Sequence, residues 1–155
     1  MQTLELVEPG KHTAEDLEYL LAADETQPLI ERLPLLYVNH ALIMGKMLLF
    51  RLHPGPGTCL VEINSDHGVK RLEVLRGAGN YAPSLRKVLA KLWAYAQELG
   101  CECVTTVVYS ERFKRTLELS GARVEGWILT YSETGHGQQE EVHHQEQPDT
   151  GGQAA

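Results

Sequence analysis

Three side chains in the middle of this chain, Glu73, Tyr81 and Tyr109, are of types that could move protons at a reacting centre. A carboxylate can take up a proton, directly or through water, and a tyrosine hydroxyl can give one up. Glu73 lies in the middle of an alternating run, Lys70 to Arg76. Glu62 lies in a neighbouring run, Thr58 to Asn64, and is a weaker candidate for the same role. Each has a plainer use. Glu73 could face solvent or pair with Arg71, and a tyrosine commonly packs its ring with the hydroxyl at the surface. Arg76, Arg86 and Lys87 flank the segment Asn80–Ser84 and are cations of a kind that can contact an anion, although a solvated helix face has the same composition. Cys101-Glu102-Cys103 has no Cys-x-x-Cys partner, so no metal is expected there, and Cys103 is expected to be a core residue. His136, His143 and His144 share a polar tail with Glu140 and Glu141 and read as solvated.

The elements that must position these residues follow from periodicity. Thr3 to Val7 alternates and reads as a strand, stopped by Pro9-Gly10. Thr13 is a helix N-cap with Asp16 three residues on, a capping-box arrangement. Leu17, Leu20 and Leu21 then form the apolar stripe. Pro28 is a candidate start for a second helix carrying Leu29, Ile30 and Leu33. Leu35 to Ile43 fits helix or strand. Met47–Leu52, Thr58–Asn64 and Lys70–Arg76 read as three strands separated by Pro54-Gly55-Pro56-Gly57 and by Ser65–Gly68, the last ended by Gly77-Ala78-Gly79. Leu85, Val88, Leu89, Leu92, Trp93, Ala96 and Leu99 recur at three- and four-residue spacing and predict a long amphipathic helix. Pro83 or Ser84 starts it and Gly100 stops it. Cys103 to Tyr109 predicts a buried strand. Ser110 caps a short helix through Phe113 and Leu117 that ends at Gly121, and Arg123 to Tyr131 predicts a final strand.

Composition narrows the classes of function. Of 21 acidic residues five lie after Ser132, and none of the 14 basic residues do, so the net charge of −7 belongs mostly to the tail and 16 acids face 14 bases before it. No basic nucleic-acid footprint is present, and the acidic balance disfavours an anionic membrane surface. The chain shows no basic stretch leading into a long apolar one at its start, and three cysteines give no disulfide framework, so a cytoplasmic location is expected. Residues 1–132 are expected to form one domain. Residues 133–155 hold one sizeable aliphatic residue, Val142, and are expected to be a disordered acidic tail.

The element order resembles that of the GNAT (N-acetyltransferase) superfamily. "WAYAQELGCECVTTVV" resembles the long helix and following strand, and "SERFKRTLELSGARVEGW" resembles the short helix ending at a glycine. The resemblance covers roughly Gln2 to Glu133. It implies an α/β fold, a mixed sheet flanked by helices, and acyl-CoA-dependent N-acyl transfer, with acetyl-CoA as the expected donor and a small-molecule or peptide amine as acceptor. It places the acyl-CoA between strands Leu72–Leu75 and Val104–Val108. Leu72, Val74, Leu75, Arg76, Asn80, Tyr81, Ala82, Ser84 and Arg86 would bind the cofactor, Glu73 would be the base, and Tyr81 or Tyr109 the acid. A helix N-terminus suits a pyrophosphate through its free N–H donors. The chain departs from the family pattern at two sites. Asn80–Leu85 lacks the glycines of the phosphate turn, and Pro83 within it offers no N–H; in the short helix Ser110 and Leu117 stand where an asparagine and a tyrosine acid are usual, and Ala122 follows the glycine where an aromatic is usual. Similar erosion marks GNAT-like proteins of bacteriophages. The alternative function is therefore an inactive GNAT-fold binding or structural protein, with a phage assembly partner. A homodimer is compatible with either.

Overall fold

A computed structural model describes residues 3–25, 27, 32–79 and 85–126. The chain divides into two units, Met1–Arg123 and Val124–Ala155. Of the second, Val124–Gly126 are described and form neither helix nor strand, so the beginning of the expected strand Arg123–Tyr131 is irregular and its remainder lies outside the described residues. The tail 133–155 and the helix expected from Pro28 also lie outside them.

The first unit runs β1 (Thr3–Val7), α1 (Ala14–Asp24), α2 (Leu35–Ile43), β2 (Met47–His53), β3 (Gly57–Asp66), β4 (Val69–Gly79), α3 (Leu85–Glu98), β5 (Cys103–Thr106) and α4 (Glu111–Leu119). The strands make one sheet in the order β1-β2-β3-β4-β5. The first four are antiparallel neighbours, whereas β4 and β5 run parallel, joined by the α3 crossover.

Side-chain alternation gives each face of the sheet its own core. On one face Phe50, Leu52, Cys59, Val61 and Leu72 pack against Val88, Leu92 and Ala96 of α3. On the other, Leu49 and Leu60 pack against Leu20 of α1 and Val38, Ala41 and Leu42 of α2. The expected stripe of α1 is therefore only partly inward: Leu20 is buried, while Leu21 is 41% exposed.

Polar contacts hold these helices in place. At the start of α1 the Asp16 N–H donates to Thr13 Oγ1 at 3.2 Å, and the Thr13 N–H donates to Asp16 Oδ2 at 2.8 Å, completing the capping box. Arg51 of β2 then donates twice to the same carboxylate, Nε to Oδ1 at 3.0 Å and Nη2 to Oδ2 at 2.6 Å. Helix α3 ends in a Schellman turn. The Cys101 N–H returns to the Ala96 carbonyl and the Gly100 N–H to that of Gln97, with Gly100 at φ +75°. The same pattern closes α4, with Gly121 at φ +104°.

Three sequence expectations need correcting. Strand β4 does not stop at Arg76 but continues to Gly79, because Gly57, Thr58 and Cys59 offer a ladder against Gly79, Ala78 and Gly77. Strand β5 stops at Thr106 and is half-buried; the expected buried strand does not reach Tyr109, and Val107 and Tyr109 are 40% and 48% exposed. Cys103 is half-buried, and the buried cysteine of that pair is Cys101, which the Schellman turn tucks back beneath α3. Leu35–Ile43, open to both readings in the sequence, is a helix.

Candidate functional site

The site begins where two parallel strands stop pairing. Strand β5 follows β4 for four residues, from Arg71 opposite Cys103 to Val74 opposite Thr106. Thr106 Oγ1 donates to the Val74 carbonyl at 3.0 Å and closes the ladder. Beyond it β4 continues along β3, while the chain after Thr106 leaves the sheet. A groove of about 1000 Å³ opens between them. Its walls are Val74, Leu75 and Arg76 of β4, Leu89 and Trp93 of α3, Val107 and Tyr109 after β5, and Phe113 and Leu117 of α4.

A bulge shapes the β4 wall. Leu60 pairs with Arg76 but Val61 pairs with Val74, so Leu75 is an extra residue on β4. A bulge leaves its residue out of the ladder and bends the strand. The Leu75 carbonyl accepts a bond from Arg76 Nη1 at 2.5 Å. Cys59 lies on the groove floor. Burial pushes its thiol up to about 12, so it stays neutral and acts as apolar surface. At the far end of β4, Gly79 has φ +118°, and a Cβ there would stand 2.6 Å from the Gly57 Cα and 2.7 Å from the Pro56 carbonyl oxygen. No side chain fits in that approach of β3 to β4.

The site residues expected from sequence divide into several groups. Val74, Leu75, Arg76 and Tyr109 line the groove. Leu72 does not reach it. Its backbone pairs with Ile63 on one side and Val104 on the other, and its side chain is fully buried, so no group of it remains to bind a ligand. Asn80, Tyr81, Ala82 and Ser84 lie outside the described residues. Arg86 is not part of the groove wall and donates through Nη2 to the Leu119 carbonyl at 3.0 Å, tying α3 to the end of α4.

Glu73 is not a wall of the groove either. Alternation along β4 puts its carboxylate on the α1/α2 face, directly opposite Glu62 on β3. Asn64 Nδ2 donates to Glu73 Oε2 at 3.1 Å. Burial, and secondly the Glu73 charge, raise the Glu62 carboxyl above the usual carboxylate range. The structure therefore offers two carboxylates, Glu73 and Glu62, on one face and a groove on the other, with Glu73 and the groove residue Val74 consecutive on β4.

The sequence reading missed part of the wall. Leu89 and Trp93 belong to the stripe of α3, and spacing alone does not divide a stripe between core and groove. Arg112, the second residue of α4, also lines the groove and is the cation that sequence reading omitted. Its position just after the Ser110 N-cap was the available signal. That cap is present, with the Phe113 N–H donating to Ser110 Oγ at 3.3 Å. Among the described residues no cluster of three or more His, Cys, Asp or Glu could hold a metal, and no helix is long and apolar enough to cross a membrane.

Four antiparallel strands, a parallel fifth reached through a long helix, a bulge on the fourth and a groove where the two diverge define a GNAT-like fold. Solved acetyltransferases share it. An aminoglycoside acetyltransferase from an uncultured soil metagenomic sample, solved with sisomicin, aligns with a TM-score of 0.63 at 10% identity over 84% of this chain and 94% of its own. A predicted acetyltransferase of Clostridium acetobutylicum, solved with acetyl-CoA, aligns with a TM-score of 0.60 at 11% identity over 88% and 99%. A Trypanosoma brucei acetyltransferase aligns with a TM-score of 0.59 at 16% identity over 85% and 99%. No family model and no curated protein sequence matches the chain. It carries a divergent version of the GNAT fold.

Proposed function

We propose that this protein transfers an acyl group, with acetyl the expected one, from acyl-CoA to an amine. The observation that carries the reading is the divergence of β4 from β5 after Val74 and Thr106, which opens a groove walled by β4 in a fold shared with a predicted acetyltransferase solved with acetyl-CoA. The pantetheine arm would lie along Val74–Arg76, where the edge of β4 no longer pairs with β5. Arg76 and Arg112 stand on the groove to meet phosphate. Asn80–Ser84 remain part of the proposal as the pyrophosphate turn at the start of α3.

In this reading the donor sits on the α3 side and the amine arrives on the α1/α2 side, where Glu73 and Glu62 are found. The amine nitrogen attacks the thioester carbon. Its proton passes to Glu73, through water, as the C–N bond forms. When the C–S bond breaks, the thiolate takes a proton from Tyr109, which lines the groove, or from Tyr81. An amine acceptor suits a site with two carboxylates, and the sisomicin-bound neighbour is an aminoglycoside acetyltransferase. Acetyl-CoA at about 100 times its dissociation constant should add about 2.7 kcal/mol of stability. No rise in melting temperature at millimolar acetyl-CoA would sink the proposal. If binding is found, Glu73→Gln should retain it and lose about 10²–10⁴ in turnover.

The second reading is a binding or structural protein of the same fold, such as a phage assembly component. Leu117 favours it: where the family pattern puts a tyrosine acid, this buried side chain on the groove wall has no proton to give. Acetyl-CoA binding without turnover on any amine tested would select it.

A further inference from the structure

Glu62 of β3 and Glu73 of β4 stand directly opposite one another on the α1/α2 face of the sheet. Opposed residues on one face of an antiparallel pair bring their Cβ atoms to about 4.5–5.5 Å, and two like charges so placed repel. Their surroundings differ. Asn64 Nδ2 donates to Glu73 Oε2 at 3.1 Å. Glu62 receives no hydrogen bond from a side chain of the described residues, and its neighbour on the other side is Met47 of β2, 3% exposed. Glu73 is thus a carboxylate with a donor. Glu62 is one without, and burial, then the Glu73 charge, push its carboxyl up.

Around the pair, Arg71 lies two residues before Glu73 on β4, opposite Asn64. Helix α1 brings Asp16, bonded to Arg51 of β2, and the half-buried Tyr19, whereas its Glu15 and Glu18 are exposed. His40 of α2 is exposed, and Thr105 of β5, opposite Glu73, is uncharged. We infer that Glu62 is a positioning residue for the acyl transfer proposed above: opposed to Glu73, it holds there the proton that Glu73 takes from the amine. The inference rests on that reading of the site. Before the transfer the two carboxylates repel. As the C–N bond forms, the proton leaves the amine nitrogen and arrives, through water, on Glu73 Oε1, because Oε2 is engaged by Asn64. The new O–H donates to the Glu62 carboxylate, so a repulsion becomes a charge-assisted hydrogen bond. That bond is made only as the proton moves, and it therefore favours turnover rather than binding. The proton then leaves to water, since neither carboxyl is fully buried, and the pair is restored.

Glu62→Gln tests this, because it keeps the shape and removes the charge. Turnover of acetyl-CoA with sisomicin, or with whichever amine of a panel is accepted, should fall about three- to tenfold on its plateau. The acid limb of kcat should move to lower pH, since full activity no longer waits for the raised Glu62 carboxyl to ionise. The melting shift given by acetyl-CoA should not change. A merely structural Glu62 would instead lower kcat alike at every pH. Carboxyl carbon NMR of the full chain reads the pair without turnover: in Glu73→Gln the Glu62 signal should titrate closer to the ordinary value of about 4.3 than it does in the wild type. An acid limb that stays in place, or a Glu62 signal indifferent to Glu73→Gln, overturns the inference and leaves acyl transfer standing. No melting shift with acetyl-CoA, or no turnover of any amine, overturns acyl transfer and the role of Glu62 with it.

Discussion

Asp16 shows how one side chain can serve two elements. Burial alone would raise its carboxyl, but the hydrogen bond and charge of Arg51 and the Thr13 N–H outweigh that and hold it below the usual range. A depressed carboxyl contributes stability above its unfolded value of about 3.9, and that contribution is lost as pH falls through the folded value. Asp16→Asn should therefore cost about 1–2 kcal/mol at pH 7, discounted because Arg51 is partly solvated. In urea titrations the gap between the two proteins should close below about pH 4. Glu62 has the opposite sign. Its raised carboxyl makes the folded protein less stable as pH rises through the window from the unfolded value, about 4.3, to the folded one. Glu62→Gln should then stabilise at neutral pH by less than about 1 kcal/mol, given its partial exposure, and the gain should vanish in acid. The Thr13–Asp16 box was legible in the sequence because a cap is a local pattern. The partnership with Arg51, 35 residues away, was not.

At the scale of elements, two devices build the groove. The approach of Gly79 to Gly57 holds the end of β4 against β3. Gly79→Ala should destabilise by more than about 1 kcal/mol, since a Cβ would collide with backbone that has little room to move. Urea denaturation measures that cost. If the proposed function holds, the same variant should weaken acetyl-CoA binding, because the β4 wall must shift. The second device is α3, which covers one face of the sheet. Leu92, 2% exposed in the core, should cost about 2–5 kcal/mol as Leu92→Ala. Trp93 beside it faces the groove, so Trp93→Ala should cost less stability and show its effect in ligand binding. The sequence predicted α3 because its stripe is long and regular. It did not predict how β5 ends, because an apolar β-branched run carries no sign of where its partner strand turns away.

For the whole molecule, the order of elements from β1 to α4 was readable from periodicity and turn residues except at α2, which the sequence left open to helix or strand, and the GNAT resemblance followed from that order. Fold does not by itself assign activity. The composition of the tail makes one further prediction. A chain ending at Ser132 should melt within a few degrees of the full chain, since the removed segment has almost no apolar surface to bury. A large loss of melting temperature would show that the tail packs on the fold. What the sequence alone determined is local: caps, helix lengths, strand alternation and the imbalance of charge between domain and tail. Each depends on residues a few positions apart. Tertiary structure alone decided that Leu75 bulges, that β5 leaves β4 after Thr106, and that Glu73 stands on the sheet face away from α3. These depend on which strands become neighbours and on which faces are already occupied, and packing sets both over distances that no local pattern spans.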